Sequence, residues 1–362
     1  MKSMISRMGK VFKGAKVDAI LLSNTKSQDP NFLYLTGFTS GVFEDDLLIV
    51  TRSREVLITG PLEYEIAKAQ KPREMGVLKL GKREREETAK RVQKLLKGKR
   101  VGINASFLPY SYYKHYKKMT KAKAFIDVTE NFSNARAVKD PDEIAKMRIA
   151  VRIIKRAINE TFKSLKVGMT EKQAAAKIEY LIREYGGDGS SFPPIVCFGK
   201  NAALPHHMPE NTRLAANSFV LLDCGAKYNN YCSDITRTII FKPDKKSSKY
   251  KQMQEMIKVI ETAQQSVMKY IRAGTGGNVS YDAVLKYINT VHHGRYKGRF
   301  IHGLGHSVGL EVHDVGTGLG GSKTRLKENM VVSNEPGVYI PGFGGVRKED
   351  DIIVTRRGGK VL

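Results

Sequence analysis

The sequence predicts an α+β protein in two parts: a small α/β domain over residues 1–135 and a larger catalytic-type α+β domain over residues 136–362. Three observations carry this. A chain of 362 residues is long enough to divide its core between two domains. Short apolar runs alternate with helical stretches through the first third. The remainder carries one helix–Gly–helix pattern twice.

In the first part, VDAILLS (17–23) reads as a buried strand, followed by strand-like runs at DDLLIV (45–50) and REVLITG (54–60). LEYEIAKAQ reads as a helix, GVLKL as a strand, and 84–97 as a charged amphipathic helix; VGINAS and AFIDVT are later strands. The boundary falls near NFSNARAVKDPDEIAKM. There Asp140-Pro141-Asp142-Glu143 is a helix start, with Pro in the first turn and acids beside it.

In the second part, the stretches beginning at Ala157 and Ala263 echo each other. Ala157 and Gly168 recur as Ala263 and Gly274 at the same separation, and each Gly is followed by a polar start and a second amphipathic helix. Each helix pair leads into a strand-rich stretch bearing histidines, His206 in one half and His302 onward in the other. Two related halves place a site at their interface, a common location for pockets.

The formal charge is +26. Residues 1–135 hold 26 Lys/Arg against 14 Asp/Glu, and residues 136–362 hold 36 against 22, so the excess is spread over both parts. The run 81–100 mixes both signs at helical spacing, as a solvated helix face does. With no Arg/Gly/aromatic interleaving of the kind that binds single strands, the charge reads mainly as surface solvation; nonspecific attraction to nucleic acid at low salt stays open, and no specific nucleic-acid partner is expected. No apolar run approaches the roughly 20 residues that span a bilayer, and the apolar stretch near the start is too short for a signal peptide. Cys197, Cys224 and Cys232 read as reduced, packed thiols of a cytoplasmic protein.

The chemistry concentrates in five residues: Asp223, Asp234, His306, Glu335 and Glu349. VLLDCGAKYNNYCSDITRTII reads as two strands around a Tyr-Asn-Asn-Tyr turn. Asp223 and Asp234 are read as symmetric about that turn, which sets them opposite each other on one face. Two carboxylates facing an apolar interior cannot both stay ionised without compensation, and a divalent cation supplies it. His302, His306 and His313 lie in HGLGHSVGLEVHD. The glycines there argue for loop and strand, against a helical zinc pair. Alternation puts Arg347, Glu349 and Asp351 on one face and turns Lys348 away, so that Arg347 can orient the carboxylates. Four carboxylates and one imidazole form an oxygen-rich site suited to Mn or another first-row dication, and two metals neutralise it better than one.

At these residues the chain resembles the pita-bread metallopeptidases of the Xaa-Pro aminopeptidase and prolidase group. NFLYLTGFTSG near residue 31 is similar to the creatinase-type N-terminal domain, and NAALPHH, DCGAKYNNYCSDITRT, HGLGHSVGLEVHD, NEPGVYIPG and GGVRKEDD are similar to the catalytic signatures. The resemblance implies a pseudo-twofold pita-bread fold behind a small α/β domain. It implies two divalent ions, Mn first, with Co, Zn or Fe as other candidates. Asp223 would bind one and His306 the other; Asp234 and Glu349 would span both; Glu335 would complete the shell and shuttle the proton as a metal-bridging hydroxide attacks the peptide carbonyl. His206 and His313 would stabilise the tetrahedral intermediate and help the leaving group. His302 would face the substrate, Phe192 the proline pocket, and Tyr339 and Arg347 would support the ligands. The implied substrates are peptides with proline at the second position, and the implied assembly is a homodimer. Ser307 and Asn230 depart from the pattern, standing where Gly is frequent.

The aminopeptidase branch is expected over prolidase, from HDVG and SNEPG after the histidine cluster. A methionine aminopeptidase is disfavoured by the long N-terminal part and the Pro205-His206 context. A nonenzymatic module binding nucleic acid or acidic proteins predicts broken ligands and a concentrated basic patch; the ligands are intact and the charge is diffuse along the chain.

Overall fold

The computed structural model describes residues 4–25, 27–80 and 85–362. The chain divides into two units, Met1–Arg136 and Ala137–Leu362. In the first, strands β1 (Ala19–Ser23), β2 (Leu47–Thr51), β3 (Glu55–Thr59), β4 (Met75–Lys79), β5 (Arg100–Ile103) and β6 (Ala124–Asp127) form one sheet in the order β4-β3-β2-β1-β5-β6. The β1–β3 strands form an antiparallel meander, and β4, β5 and β6 add in parallel. Helices α1 (Met4–Phe12), α2 (Pro30–Thr36), α3 (Tyr64–Gln70), α4 (Arg85–Leu96), α5 (Tyr110–Thr120) and α6 (Thr129–Ala137) connect and flank them. Ala19, Leu21, Ile49 and Val56 pack with Val92 and Leu96 of α4 and Tyr116 of α5. The expected helix from 84 is α4, and residue 84 lies outside the described residues. The basic start yields a helix the sequence did not announce: α1 buries Val11 and Phe12.

The second unit begins with the helix that Asp140-Pro141 predicts. Glu143 accepts from Asp140 N at 2.7 Å and closes the first turn of α7 (Pro141–Ser164). After α7 come α8 (Glu171–Glu184), β7 (Gly189–Ser190), β8 (Ile195–Phe198), β9 (Ser218–Cys224), β10 (Ala226–Tyr228), β11 (Tyr231–Cys232) and β12 (Ile235–Phe241). Then α9 (Ser248–Ser266) and α10 (Gly277–Gly294) lead to β13 (Val331–Asn334), β14 (Gly337–Ile340), β15 (Gly344–Arg347), β16 (Asp350–Val354) and β17 (Gly359–Val361). The echo read from the sequence is structural. Ala157 and Ala263 are both fully buried, on α7 and α9. Gly168 and Gly274 both adopt the left-handed backbone, at φ 84° and 87°, which a Cβ would strain. Their amides donate to equivalent carbonyls, Leu214 and Leu326, at 2.8 and 2.9 Å.

The strand β9 pairs with β8 and β12 and is buried along its whole length. Val220, Leu222 and Cys224 join the core of α7 and α8. Phe219 and Leu221 join the core of α9 and α10. Alternation therefore gives each half one face of the same strand. Asp223, next in the Phe219–Leu221 series, emerges at the strand end on the side of the second half.

Candidate metal centre

Four strand ends and one irregular segment deliver the five candidate ligands. Asp223 ends β9, Asp234 precedes β12, Glu335 follows β13, and Glu349 lies between β15 and β16. His306 comes from the irregular 301–319 segment, as its glycines predict. Gly305 there is obligatory: a Cβ would run into the carbonyl of Ser333. These residues line one cavity of about 440 Å3 together with Phe192, His206, His302, His313 and Arg347. Tyr339 stands behind it, hydrogen-bonded to two of them.

The pairing of the two aspartates differs from the sequence expectation. Asn229 and Asn230, at φ 47° and 70°, form a two-residue turn that both positive-φ positions permit. The residue equidistant from that turn with Asp223 is Thr236, and these two pair; Asp234 falls two positions short. A shift of two keeps it on the same face, so the carboxylates are diagonal neighbours. The hairpin is also interrupted at 233–234, where Asp234 N donates to Asp351 Oδ2 at 3.1 Å. Similarly, the single strand expected through Arg347, Glu349 and Asp351 breaks at 348–349. The three side chains still converge, and Lys348 points outward to Glu261 at 3.2 Å.

Arg347 pairs with Asp223, donates to Tyr339 Oη at 2.8 Å and reaches Thr236 Oγ1 at 3.2 Å. Thr236 in turn donates to Glu349 Oε2 at 2.7 Å. With its oxygen taken by Arg347, Tyr339 gives its proton to His302 Nε2 at 2.8 Å, while His302 Nδ1 donates to Gly303 O. His306 Nδ1 donates to Ser307 O, leaving a bare Nε2 lone pair 3.4 Å from Asp234 Oδ2 and 3.5 Å from Glu335 Oε1. The rings of His306 and His313 lie 4.0 Å apart.

This electrostatic arrangement is incomplete without a cation. Burial, then the neighbouring carboxylates, pushes Asp234 and Glu349 well above the carboxylate range. Burial raises Glu335 to about 7 against the pull of Arg347. Burial lowers His306 to about 4, with His313 adding to it, so its imidazole is neutral at pH 7. Asp223 Oδ1, Asp234 Oδ1 and Glu349 Oε1 are buried with no hydrogen-bond partner. Ligand atoms of Asp234, His306 and Glu349 lie within 4.8 Å of one another. Orphaned carboxylate oxygens around a bare imidazole nitrogen fit divalent metal. All three cysteines are free and buried, and burial lifts Cys232 to about 12, an inert packed thiol.

Residues 145–356 match the model of metallopeptidase family M24, and residues 4–138 match the creatinase/prolidase N-terminal domain. The chain belongs to metallopeptidase family M24. The M24 chain is 32% identical over 347 residues to an Xaa-Pro dipeptidase of Pyrococcus horikoshii, covering 96% of this chain and 92% of that one. Among solved structures it superposes on an Xaa-Pro dipeptidase from Bacillus anthracis with TM-score 0.86, 32% identity, and coverage of 99% and 96% of the two chains. It superposes on an X-Pro aminopeptidase from Thermotoga maritima with TM-score 0.87, 29% identity, and coverage of 97% of each. The pseudo-twofold pita-bread architecture of M24 is the arrangement of paired helices and buried strands described above.

Sequence reading missed three supports of this M24 site. Thr236 joins Arg347 to Glu349, and its place two residues after Asp234 was a usable signal. Ser333 donates to Glu335 Oε1 at 3.2 Å and accepts from His306 N at 3.0 Å. Glu171, fully buried, knots the loop that carries His206, and nothing local in the sequence announces it.

Proposed function

We propose that this M24 chain is an exopeptidase that holds two divalent ions and hydrolyses the peptide bond between an N-terminal residue and proline. Residues 1–135 form its creatinase-like domain and 136–362 its catalytic domain. The carrying observation is that Asp223, Asp234 and Glu349 each keep a buried, unpartnered carboxylate oxygen in the cavity where the bare His306 Nε2 lies 3.4 Å from Asp234 Oδ2 and 3.5 Å from Glu335 Oε1. Asp223, Asp234, His306, Glu335 and Glu349 are the metal ligands, with Mn the first candidate and Co, Zn or Fe the others. Bound divalent ions supply Lewis acidity and an activated water at neutral pH. Glu335, buried on the cavity wall with Ser333 donating to its Oε1, would take a proton and deliver it to the leaving nitrogen. Arg347 fixes Asp223 and orients Tyr339 toward His302, whose imidazole is kept neutral by burial and then by the Arg347 charge. His206 and His313 line the cavity from other directions and are placed to hydrogen-bond a tetrahedral oxyanion. Phe192 offers an aromatic wall for the proline ring.

The aminopeptidase branch has one support in the cavity. Arg347 is the only Lys or Arg among its described lining residues, and it is engaged with Asp223. Among the described lining residues no lysine or further arginine remains to anchor the free carboxylate of a dipeptide. Relatives named Xaa-Pro dipeptidase support prolidase as the second reading. The same proposal carries a homodimer and a cytoplasmic location. No described helix is long and apolar enough to cross a membrane.

The test is hydrolysis of an Xaa-Pro dipeptide, an Xaa-Pro-Xaa tripeptide and a Met-Ala-Xaa control with Mn²⁺, beside Asp234→Asn. Tripeptide cleavage lost in Asp234→Asn is expected. Dipeptide cleavage alone assigns prolidase. Cleavage of the Met control alone moves the chain to the methionine branch. No cleavage by folded protein with any divalent metal refutes the peptidase reading.

A further inference from the structure

The charge balance by halves hides one strongly basic segment, which the fold keeps together. From Thr88 to Ile126 the sequence carries eleven Lys and Arg and no Asp or Glu. Folding gathers this segment at one end of the first unit. Gln93 Nε2 donates to Met119 O at 3.1 Å, joining α4 to α5. Gly98 N donates to Lys121 O at 3.1 Å and Lys123 N to Lys99 O at 2.8 Å, bringing the two helix exits together. Lys94, Lys97, Lys117, Lys118, Lys121 and Lys123 are exposed there and have no carboxylate partner among the described residues.

Ordinary solvation does not produce this pattern. The start of α4 shows what solvation looks like: Lys90 pairs with Glu86 at 3.0 Å and Arg91 with Glu87 at 2.6 Å. Past that turn the acids stop and the lysines continue. The helix macrodipoles do not account for them either, because two C-termini present only about one negative charge between them. The positive surface also continues around α4 into a cavity of about 710 Å3, where Arg54, Arg73, Arg91, Lys94 and Lys99 outnumber Glu55 and Glu74.

Aromatic rings alternate with these cations along α5. Tyr110 is 71% exposed and stacks on Tyr113 at 6.1 Å and 15°. Lys114 lies over the Tyr110 ring at 5.0 Å and Lys117 over Tyr113 at 5.8 Å. Flat rings beside ammonium groups with no carboxylate partner among the described residues match a strand that offers bases and phosphates in alternation. An anionic lipid surface fits less well: Tyr110 is the one large exposed hydrophobic residue in the segment, so no aliphatic side chain is free to insert. An acidic peptide would leave the exposed ring unused.

We propose that the α4–α5 face of the first unit binds single-stranded nucleic acid without sequence preference, with phosphates on the lysines and a base stacked on Tyr110. Phosphate and stacking contacts of this kind carry no sequence information.

The test is fluorescence anisotropy of the full chain with labelled oligo-dT and oligo-rU. Six phosphate contacts predict affinity falling roughly 300-fold between about 50 and 200 mM salt. Lys117→Glu combined with Lys121→Glu is expected to abolish binding, and Tyr110→Ala to weaken it about five- to hundredfold. Neither variant should change the melting temperature or peptidase turnover, since these residues are exposed and none belongs to the unit that carries the metal centre. Absence of binding at low salt, or undiminished binding by the charge-reversed variant, overturns the proposal. So does equal competition by polyglutamate with Tyr110→Ala neutral, which would mark a surface for acidic proteins. Capture by anionic vesicles in preference to oligonucleotide overturns it as well.

Discussion

Glu171→Ala tests whether a residue outside the cavity builds it. Glu171 is the first residue of α8 and is fully buried. Each of its carboxyl oxygens accepts two bonds. Oε1 takes Phe198 N at 2.7 Å and Asn201 Nδ2 at 3.0 Å. Oε2 takes His207 Nε2 at 2.9 Å and Glu210 N at 3.0 Å. The loop so tied, 198–210, contains His206 on the cavity wall. Removing the carboxyl orphans two backbone donors, each worth about 1–3 kcal/mol when buried and unpaired; Asn201 and His207 can turn toward water. The expected loss is about 3–5 kcal/mol, or a melting temperature lower by roughly 10–15 °C. Because no metal ligand lies on this loop, metal uptake should be retained while kcat/KM falls by up to about 100-fold through misplacement of His206. Thermal melts, metal content and peptide hydrolysis on one preparation separate these effects. A melting temperature within about 2 °C of wild type, with kcat/KM unchanged, would refute the assigned role.

Three further outcomes are expected. Lys139 and Asp314 form a buried pair at 3.3 Å, 1% and 2% exposed, beside His313. Lys139→Met should therefore cost about 3–5 kcal/mol by thermal melting, with partial recovery on adding Asp314→Asn; a loss under about 1 kcal/mol contradicts it. In the first unit, burial raises Asp46 to about 7 and Glu55 to about 8, with both Glu55 oxygens unpartnered. The folded state keeps these protons while the unfolded chain releases them above its ordinary carboxylate pKa. Stability is therefore lost from about pH 4 upward, by up to about 1.4 kcal/mol per unit per group, until the folded values near 7 and 8 are passed. Denaturation midpoints across pH should show that slope, and Glu55→Gln should reduce it. Adding Mn²⁺ at about 100 times its Kd should stabilise wild type by about 2.7 kcal/mol and leave Asp234→Asn unmoved in the same scan.

What the sequence made legible, and what it hid, divides by range of interaction. The β1, β2 and β3 strands and the start of α7 follow from local signals, apolar runs and a Pro-Asp cap. The candidate ligands were legible because Asp and Glu next to apolar strands are costly unless compensated. Register was read from the wrong centre: the residues equidistant from the Asn229-Asn230 turn are Asp223 and Thr236, so Asp234 falls two positions short on the same face. The supports of the site escaped for another reason. Glu171 reads as an ordinary helix-start acid, and only the folded chain brings Phe198, His207 and Glu210 to it. Helix α5 escaped because YSYYKHYKKMT is rich in tyrosine, a middling helix former. Its lysines joined those of α4 only once the two helices packed.

The metal centre and the basic face pose the same physical question, which is whether charge is balanced from within. In the catalytic unit the lining of the cavity offers one guanidinium, Arg347, against four carboxylates. Arg347 takes Asp223, and Asp234, Glu335 and Glu349 remain, with a neutral imidazole turning its lone pair toward two of them. The flanking cations are committed elsewhere: Arg237 is held by Asp350 at 2.6 Å, and Lys348 is turned away to Glu261 at 3.2 Å. The deficit is therefore built into the backbone course, and it calls for a cation from solution. At the α4–α5 face the imbalance has the opposite sign and the opposite setting. Its lysines are hydrated, so the surplus costs little stability and is screened by salt. The buried deficit should consequently appear as tight, stoichiometric metal uptake that raises stability. The exposed surplus should appear as weak, steeply salt-dependent binding that leaves stability unchanged. Raising ionic strength on a single preparation distinguishes them: metal content should hold while oligonucleotide is released.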